Sequence, residues 1–146
     1  MPTKSVLLVE DDVNDEELAR RAFVRSNIVN PLVVVRDGTE ALAYLFATGA
    51  HAGRDLRDMP AVILLDLKLP ERDGLDVLRT LRADPRTKLI PVVMLTSSDQ
   101  EQDLVDSYAL RANSYLRKPV QVERFMECVS QLGLYWLAIN EPPPLM

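Results

Sequence analysis

Asp66 ends an apolar run over residues 61–65, and Glu10, Asp11 and Asp12 follow another over residues 5–9. A carboxylate in such a place is costly unless it sits at the open carboxyl end of a strand. Set there, an aspartate is a competent nucleophile for making an acyl phosphate. Three carboxylates close together would repel, and at least one pKa would rise. A hard divalent ion relieves that crowding, and Mg²⁺ takes this kind of oxygen donor. It would also neutralise an incoming phosphoryl group. Two further residues suit the same task. Lys118 offers a compact positive charge for phosphate oxygens, and Thr96 a small hydroxyl that can donate to one. The set reads as a site for phosphoryl transfer by positioning and charge neutralisation, with Asp66 as the acceptor.

These positions are scattered, so the fold must gather them. Apolar runs at 5–9, 32–35, 61–65 and 91–95 read as strands buried on both faces, and 114–116 as a shorter fifth strand. Between and after them, apolar residues recur at helical spacing. The first helix carries Leu18, Ala19, Ala22 and Phe23, and the second Ala41, Leu42, Leu45 and Phe46. The third carries Leu75, Leu78 and Leu81 and stops before Asp84-Pro85. Leu104, Val105, Tyr108 and Ala109 mark the next, and Phe125, Met126, Val129 and Leu132 the last. Asn14 with Glu17, and Ser98 with Glu101, have the spacing of an N-cap and its reciprocal partner. Residues 48–59 form a polar connection longer than the usual loop of about 2–6 residues. Five β-α repeats predict a parallel sheet with helices on both faces and right-handed crossovers. In such a sheet the strand ends bearing Glu10, Asp11, Asp66, Thr96 and Lys118 share one rim.

A chain of 146 residues suits one domain. Its net charge of −5 argues against a nucleic-acid footprint. The single cysteine, Cys128, rules out an internal disulfide and fits a reducing compartment. No apolar run approaches the roughly 18 residues of a membrane span, and no signal-peptide pattern opens the chain. The expectation is a soluble cytoplasmic protein with no membrane contact: one domain over residues 1–136 and a Pro-rich tail over 137–146.

The motifs resemble a response regulator receiver domain of two-component signalling. Val9-Glu10-Asp11-Asp12 matches that family's acidic cluster. Leu65-Asp66-Leu67-Lys68-Leu69-Pro70 with Asp73-Gly74 matches its phosphorylation segment. Leu95-Thr96-Ser97 and Tyr115-Leu116-Arg117-Lys118-Pro119 match the remaining two motifs. The spacings also agree, 30 residues from Asp66 to Thr96 and 22 from Thr96 to Lys118. The resemblance implies a flavodoxin-like, doubly wound (βα)5 three-layer sandwich with parallel strand order 2-1-3-4-5. It implies phosphate transfer to Asp66 from a histidine kinase phosphohistidine. Asp11, Asp66 and the backbone carbonyl of Lys68 are then Mg²⁺ ligands, with Glu10 acting through water. Asp12 reads as a solvated or loop-orienting residue rather than a direct ligand. Thr96 and Tyr115 become the switch pair, and Lys118-Pro119 is expected to be cis. A finer resemblance is to stand-alone regulators that serve phytochromes. It rests on Glu10-Asp11-Asp12, the long loop before Asp66, Ala112-Asn113-Ser114-Tyr115 and the aromatic Tyr135-Trp136. It implies a homodimer through the helix of Leu104 to Ala109, the fifth strand and the last helix. With no room for an output domain beyond Met146, output is expected through a partner or through dimerisation.

Two other readings bear weighing. A Mg²⁺-dependent phosphatase with an aspartyl nucleophile resembles a pattern with a second aspartate two residues on, where this chain has Lys68. A dimeric pseudo-receiver that only binds is opposed by the intact set Asp11, Asp66, Thr96 and Lys118. His51, the lone histidine, sits in the polar loop and reads as non-catalytic.

Overall fold

A computed structural model describes residues 4–25, 28–97 and 112–131. In chain order the elements are β1 (Val6–Val9), α1 (Val13–Arg25), β2 (Leu32–Val35), α2 (Gly38–Phe46), β3 (Val62–Asp66), α3 (Gly74–Ala83), β4 (Val92–Thr96), β5 (Ser114–Arg117) and α4 (Val122–Gln131). The strands form one parallel sheet in the order β2-β1-β3-β4-β5. The helix expected to carry Leu104 to Ala109, its Ser98–Glu101 cap, and Tyr135-Trp136 lie outside the described residues.

Alternation along the strands divides the core in two. On one side Leu7, Val9, Ile63, Leu65, Val92 and Met94 pack with α2 and α3. On the other, Val6, Leu8, Val62, Leu64, Val93 and Leu95 pack with α1 and α4. Phe23 and Phe125 join the two helices on that second side, ring centroids 5.0 Å apart. The central strands are fully buried on both faces, as continuous apolar runs require. Three layers follow from this patterning.

The helix starts fix where the strand ends lie. The cap of α1 is Asp12, not Asn14: its Oδ1 accepts from the amides of Asn14 at 2.8 Å and Asp15 at 3.1 Å. A carboxylate two residues earlier meets the first orphan N–H groups, so the helix begins at Val13. Asp37 and Asp73 cap α2 and α3 the same way, accepting from Glu40 N at 2.7 Å and Asp76 N at 2.9 Å. Gly74 has a steric reason. A Cβ there would lie 2.3 Å from the carbonyl oxygen of Asp66, so only glycine lets α3 start against the end of β3. At its other end α3 stops at Ala83, with Asp84 extended before Pro85.

The long connection after α2 is ordered by its own contacts. Ala47, at φ 55°, ends the helix in the left-handed region. A 3₁₀ turn over Gly49–His51 follows. The Arg54 guanidinium stacks 3.8 Å over the Tyr44 ring and donates to the carbonyls of Tyr44 and Asp58. His51 meets the same ring edge-on at 5.2 Å. The loop therefore folds back on α2.

Candidate functional site

Strand pairing sets the rim. Asp66 pairs with Leu95, and Thr96 with Arg117, so Asp66 and Thr96 are the last residues of β3 and β4. Glu10 follows β1 directly, its amide bonded to Val35 O at 3.0 Å. Lys118 follows β5, its amide bonded to Thr96 O at 2.8 Å. All five rim positions read from the sequence lie at one end of one sheet. Lys118-Pro119 is cis, as the resemblance implied.

Burial then makes the charges matter. Glu10, Asp66 and Thr96 are buried, and Asp11 is exposed. Ligand oxygens of Glu10, Asp11 and Asp66 lie within 4.8 Å of one another. Lys118 Nζ stands 3.0 Å from Asp66 Oδ2 and 3.1 Å from Glu10 Oε1. The other Asp66 oxygen, Oδ1, accepts from the Lys68 amide at 3.2 Å. Burial first, and then the adjacent Asp66 carboxylate, push the Glu10 carboxyl up to about 7, and Lys118 offsets only part of this. For Lys118, burial acts to lower the ammonium pKa. The carboxylates of Asp15, Asp66 and Glu10 outweigh it and raise the pKa.

This donor set fits a hard divalent cation. Three carboxylates converge, one of them raised toward its neutral form by burial and by Asp66, and a cation would offset the repulsion among them. Thr96 and Tyr115 stand on adjacent strands, and both line one cleft with Arg117, Lys118 and Arg124. Tyr115 is half-buried and packs against the α2–α3 side of the core. The side chain of Lys68 is exposed at the mouth, beside Asp11, Leu69 and Pro70.

Asp15 belongs to the site, although sequence reading passed over it. Its Oδ2 lies 2.8 Å from Lys118 Nζ, the shortest of that ammonium's ion pairs. Asp15 lies in the first turn of α1, and no local spacing ties it to Lys118. Glu16, also unflagged, is buried and paired with Arg20 at 2.9 Å and with Arg36, which ties α1 to the end of β2.

An open parallel sheet of order 2-1-3-4-5 with an acidic cluster and a lysine at its carboxyl rim defines a phosphoryl-accepting switch module. The chain belongs to the response regulator receiver domain family, which it matches over residues 6–130. It is 38% identical to the response regulator Rcp1 of Synechocystis sp. over 136 residues, 93% of this chain and 90% of that protein. The solved bacteriophytochrome response regulator RtBRR superposes with a TM-score of 0.88 at 49% identity, covering 97% of this chain and 85% of that one. The phosphorylated cyanobacterial phytochrome response regulator RcpA gives 0.74 at 38%, covering 97% and 99%. Rcp1 has itself been solved in a Mn²⁺-bound form, with a TM-score of 0.73 at 37% identity and coverage of 97% and 99%. Receiver domains are phosphorylated on an aspartate, hold a divalent metal and work with sensor histidine kinases.

Proposed function

We propose that Asp66 accepts the phosphoryl group of a sensor kinase phosphohistidine and that the chain signals through the change this makes. The observation that carries this reading is the contact of Lys118 Nζ with Asp66 Oδ2 at 3.0 Å inside a ring of carboxylates. Asp66 supplies the attacking oxygen, and the Lys68 amide orients the carboxylate. Lys118 donates to a phosphoryl oxygen, and Thr96 to another. Asp11, Asp66 and the Lys68 carbonyl would hold Mg²⁺, with Glu10 acting through water. When bound, the cation supplies positive charge against the developing charge of the transferring group. The same residues permit slow hydrolysis at Asp66, and no separate substrate is turned over.

Thr96 moving to the phosphoryl group, with Tyr115 following it, carries the signal to the β5 edge. Support comes from their shared cleft and adjacent strands. Output through a partner or through a homodimer is proposed, the homodimer using this edge, the segment of Leu104 to Ala109 and α4, with Tyr135-Trp136 contributing. Likeness to RtBRR and RcpA supports a phytochrome as the kinase. The proposed domain runs over residues 1–136 with a Pro-rich tail over 137–146, in the cytoplasm, with no nucleic-acid or membrane contact. Among the described residues no helix is long and apolar enough to cross a membrane.

The test is chemical trapping. Borohydride reduces an aspartyl phosphate to homoserine, and peptide mass spectrometry then reads its position. Homoserine at position 66 after incubation with kinase and ATP is expected; homoserine elsewhere would place the acceptor on another residue.

A further inference from the structure

The ammonium of Lys118 has three N–H donors. Three carboxylates surround it: Asp15 Oδ2 at 2.8 Å, Asp66 Oδ2 at 3.0 Å and Glu10 Oε1 at 3.1 Å. A phosphoryl group on Asp66 brings new oxygens to the same ammonium, so one present acceptor must give way. The three differ in what release would cost. The side chains of Glu10 and Asp66 are 1% and 6% exposed, and that of Asp15 is 27% exposed. Glu10 let go would be a buried carboxylate without its counter-ion, which is expensive. Asp15 let go turns to water at the start of α1, where the helix terminus still favours a negative charge. Asp15 also stands outside the trio Glu10, Asp11 and Asp66 that can share a cation.

We propose that Asp15 is a positioning residue that holds Lys118 in the unphosphorylated site and yields it to the phosphoryl group. An acid in the first turn of a helix is ordinary; one whose carboxylate makes the shortest ion pair of the site's lysine is placed to control it. The inference rests on Asp66 being the acceptor. In transfer from acetyl phosphate, an Asp66 oxygen bonds to phosphorus and the bond from phosphorus to the acetate oxygen breaks. Acetate leaves with the electron pair, and Lys118 stays protonated throughout. In hydrolysis a water oxygen bonds to phosphorus, its protons go to the inorganic phosphate released, and the Asp66 oxygen leaves with the electron pair as a carboxylate. Asp15 makes and breaks no bond in either step; it biases where the ammonium points.

The experiment compares wild type, Asp15→Asn, Asp15→Ala and Asp15→Glu with acetyl phosphate and Mg²⁺, following intact mass to steady state. Removing a partly exposed ion pair should raise the ratio of phosphorylated to unphosphorylated protein about two- to fivefold in Asp15→Asn and Asp15→Ala. Asp15→Glu should return it toward wild type. A second reading uses no metal. In EDTA the Lys118 ammonium cross-peak in NMR should persist in wild type and Asp15→Glu and broaden by water exchange in Asp15→Asn. A ratio that is unchanged or lower in Asp15→Asn overturns the proposal, as does an unaltered ammonium signal. A wild-type protein that takes no phosphate fails the Asp66 reading instead, and the NMR comparison still decides whether Asp15 holds Lys118.

Discussion

The two ends of the sheet treat polar groups in opposite ways. At the amino end side chains pair mainly with backbone and amide groups. Asn113 Oδ1 accepts from Val92 N at 2.8 Å and from Arg82 Nη2 at 2.9 Å. Arg82 Nη1 donates to the carbonyls of Lys88 and Ile90 at 3.1 and 3.0 Å. Thr87 Oγ1 donates to Leu81 O at 2.8 Å, and Asn30 Nδ2 to Lys4 O at 2.8 Å. Each bond closes a strand entry or a helix exit. At the carboxyl end, Glu10, Asp15 and Asp66 crowd one lysine, Asp11 lies beside Glu10 and Asp66, and Glu10 is driven toward its neutral form. Most of these fold-holding polar groups are matched to their neighbours, with the buried Asn30 Oδ1 an exception. The carboxyl-end set keeps an excess of like charge, and that imbalance marks it as the functional end.

Substitutions should separate the two ends. The largest effect is expected at Lys118. Lys118→Ala should slow phosphoryl uptake about a hundredfold, the scale for losing one preorganised donor at a reacting centre. A rate within a few fold of wild type would remove Lys118 from the chemistry. At the amino end the expectation reverses. Asn113→Ala leaves the Val92 amide and the Arg82 guanidinium short of an acceptor, a loss of about 1–3 kcal/mol of stability by urea unfolding. Uptake should be nearly unchanged, and a large fall in uptake would erase the contrast between the ends.

A smaller effect concerns pH without a cation. Glu10 has a folded pKa of about 7 against an ordinary 4.5. Between those values the folded state binds more protons than the unfolded, so stability falls as pH rises through the window. In EDTA the urea midpoint should drop from about pH 4.5 to about pH 7, and Glu10→Gln should flatten that part of the profile. An equal slope in the variant would assign it to another group. The smallest effect is expected at Ala47, whose φ of 55° suits glycine. Ala47→Gly should add roughly 0.5–1 kcal/mol and leave uptake alone. A loss of stability would show that the left-handed cap is not strained.

Much of this architecture was legible because its causes are local. Continuous apolar runs mark strands buried on both faces, and Asp66, Thr96 and Lys118 were readable as strand-end residues for that reason. Asp73-Gly74 was readable as part of the phosphorylation segment, though the need for glycine, the approach of α3 to the Asp66 carbonyl, shows only in three dimensions. Two things escaped. The start of α1 was placed at Asn14, because Asn14 and Glu17 mimic a capping box while Asp12 has the same chemistry two residues earlier. Asp15 was passed over because its partner, Lys118, is remote in sequence and meets it only when β5 is in the sheet. Cross-sheet ion pairs leave no periodic trace, so spacing found the rim and missed one of its members.

The central claim is that Asp66 is the acceptor. Intact mass spectrometry of wild type and Asp66→Asn, each incubated with Mg²⁺ and acetyl phosphate, tests it most directly. A gain of one phosphoryl group in wild type and none in a folded Asp66→Asn is the expected result. Equal gain in both would put the phosphate elsewhere, and no gain in wild type would leave a receiver fold that binds without being phosphorylated.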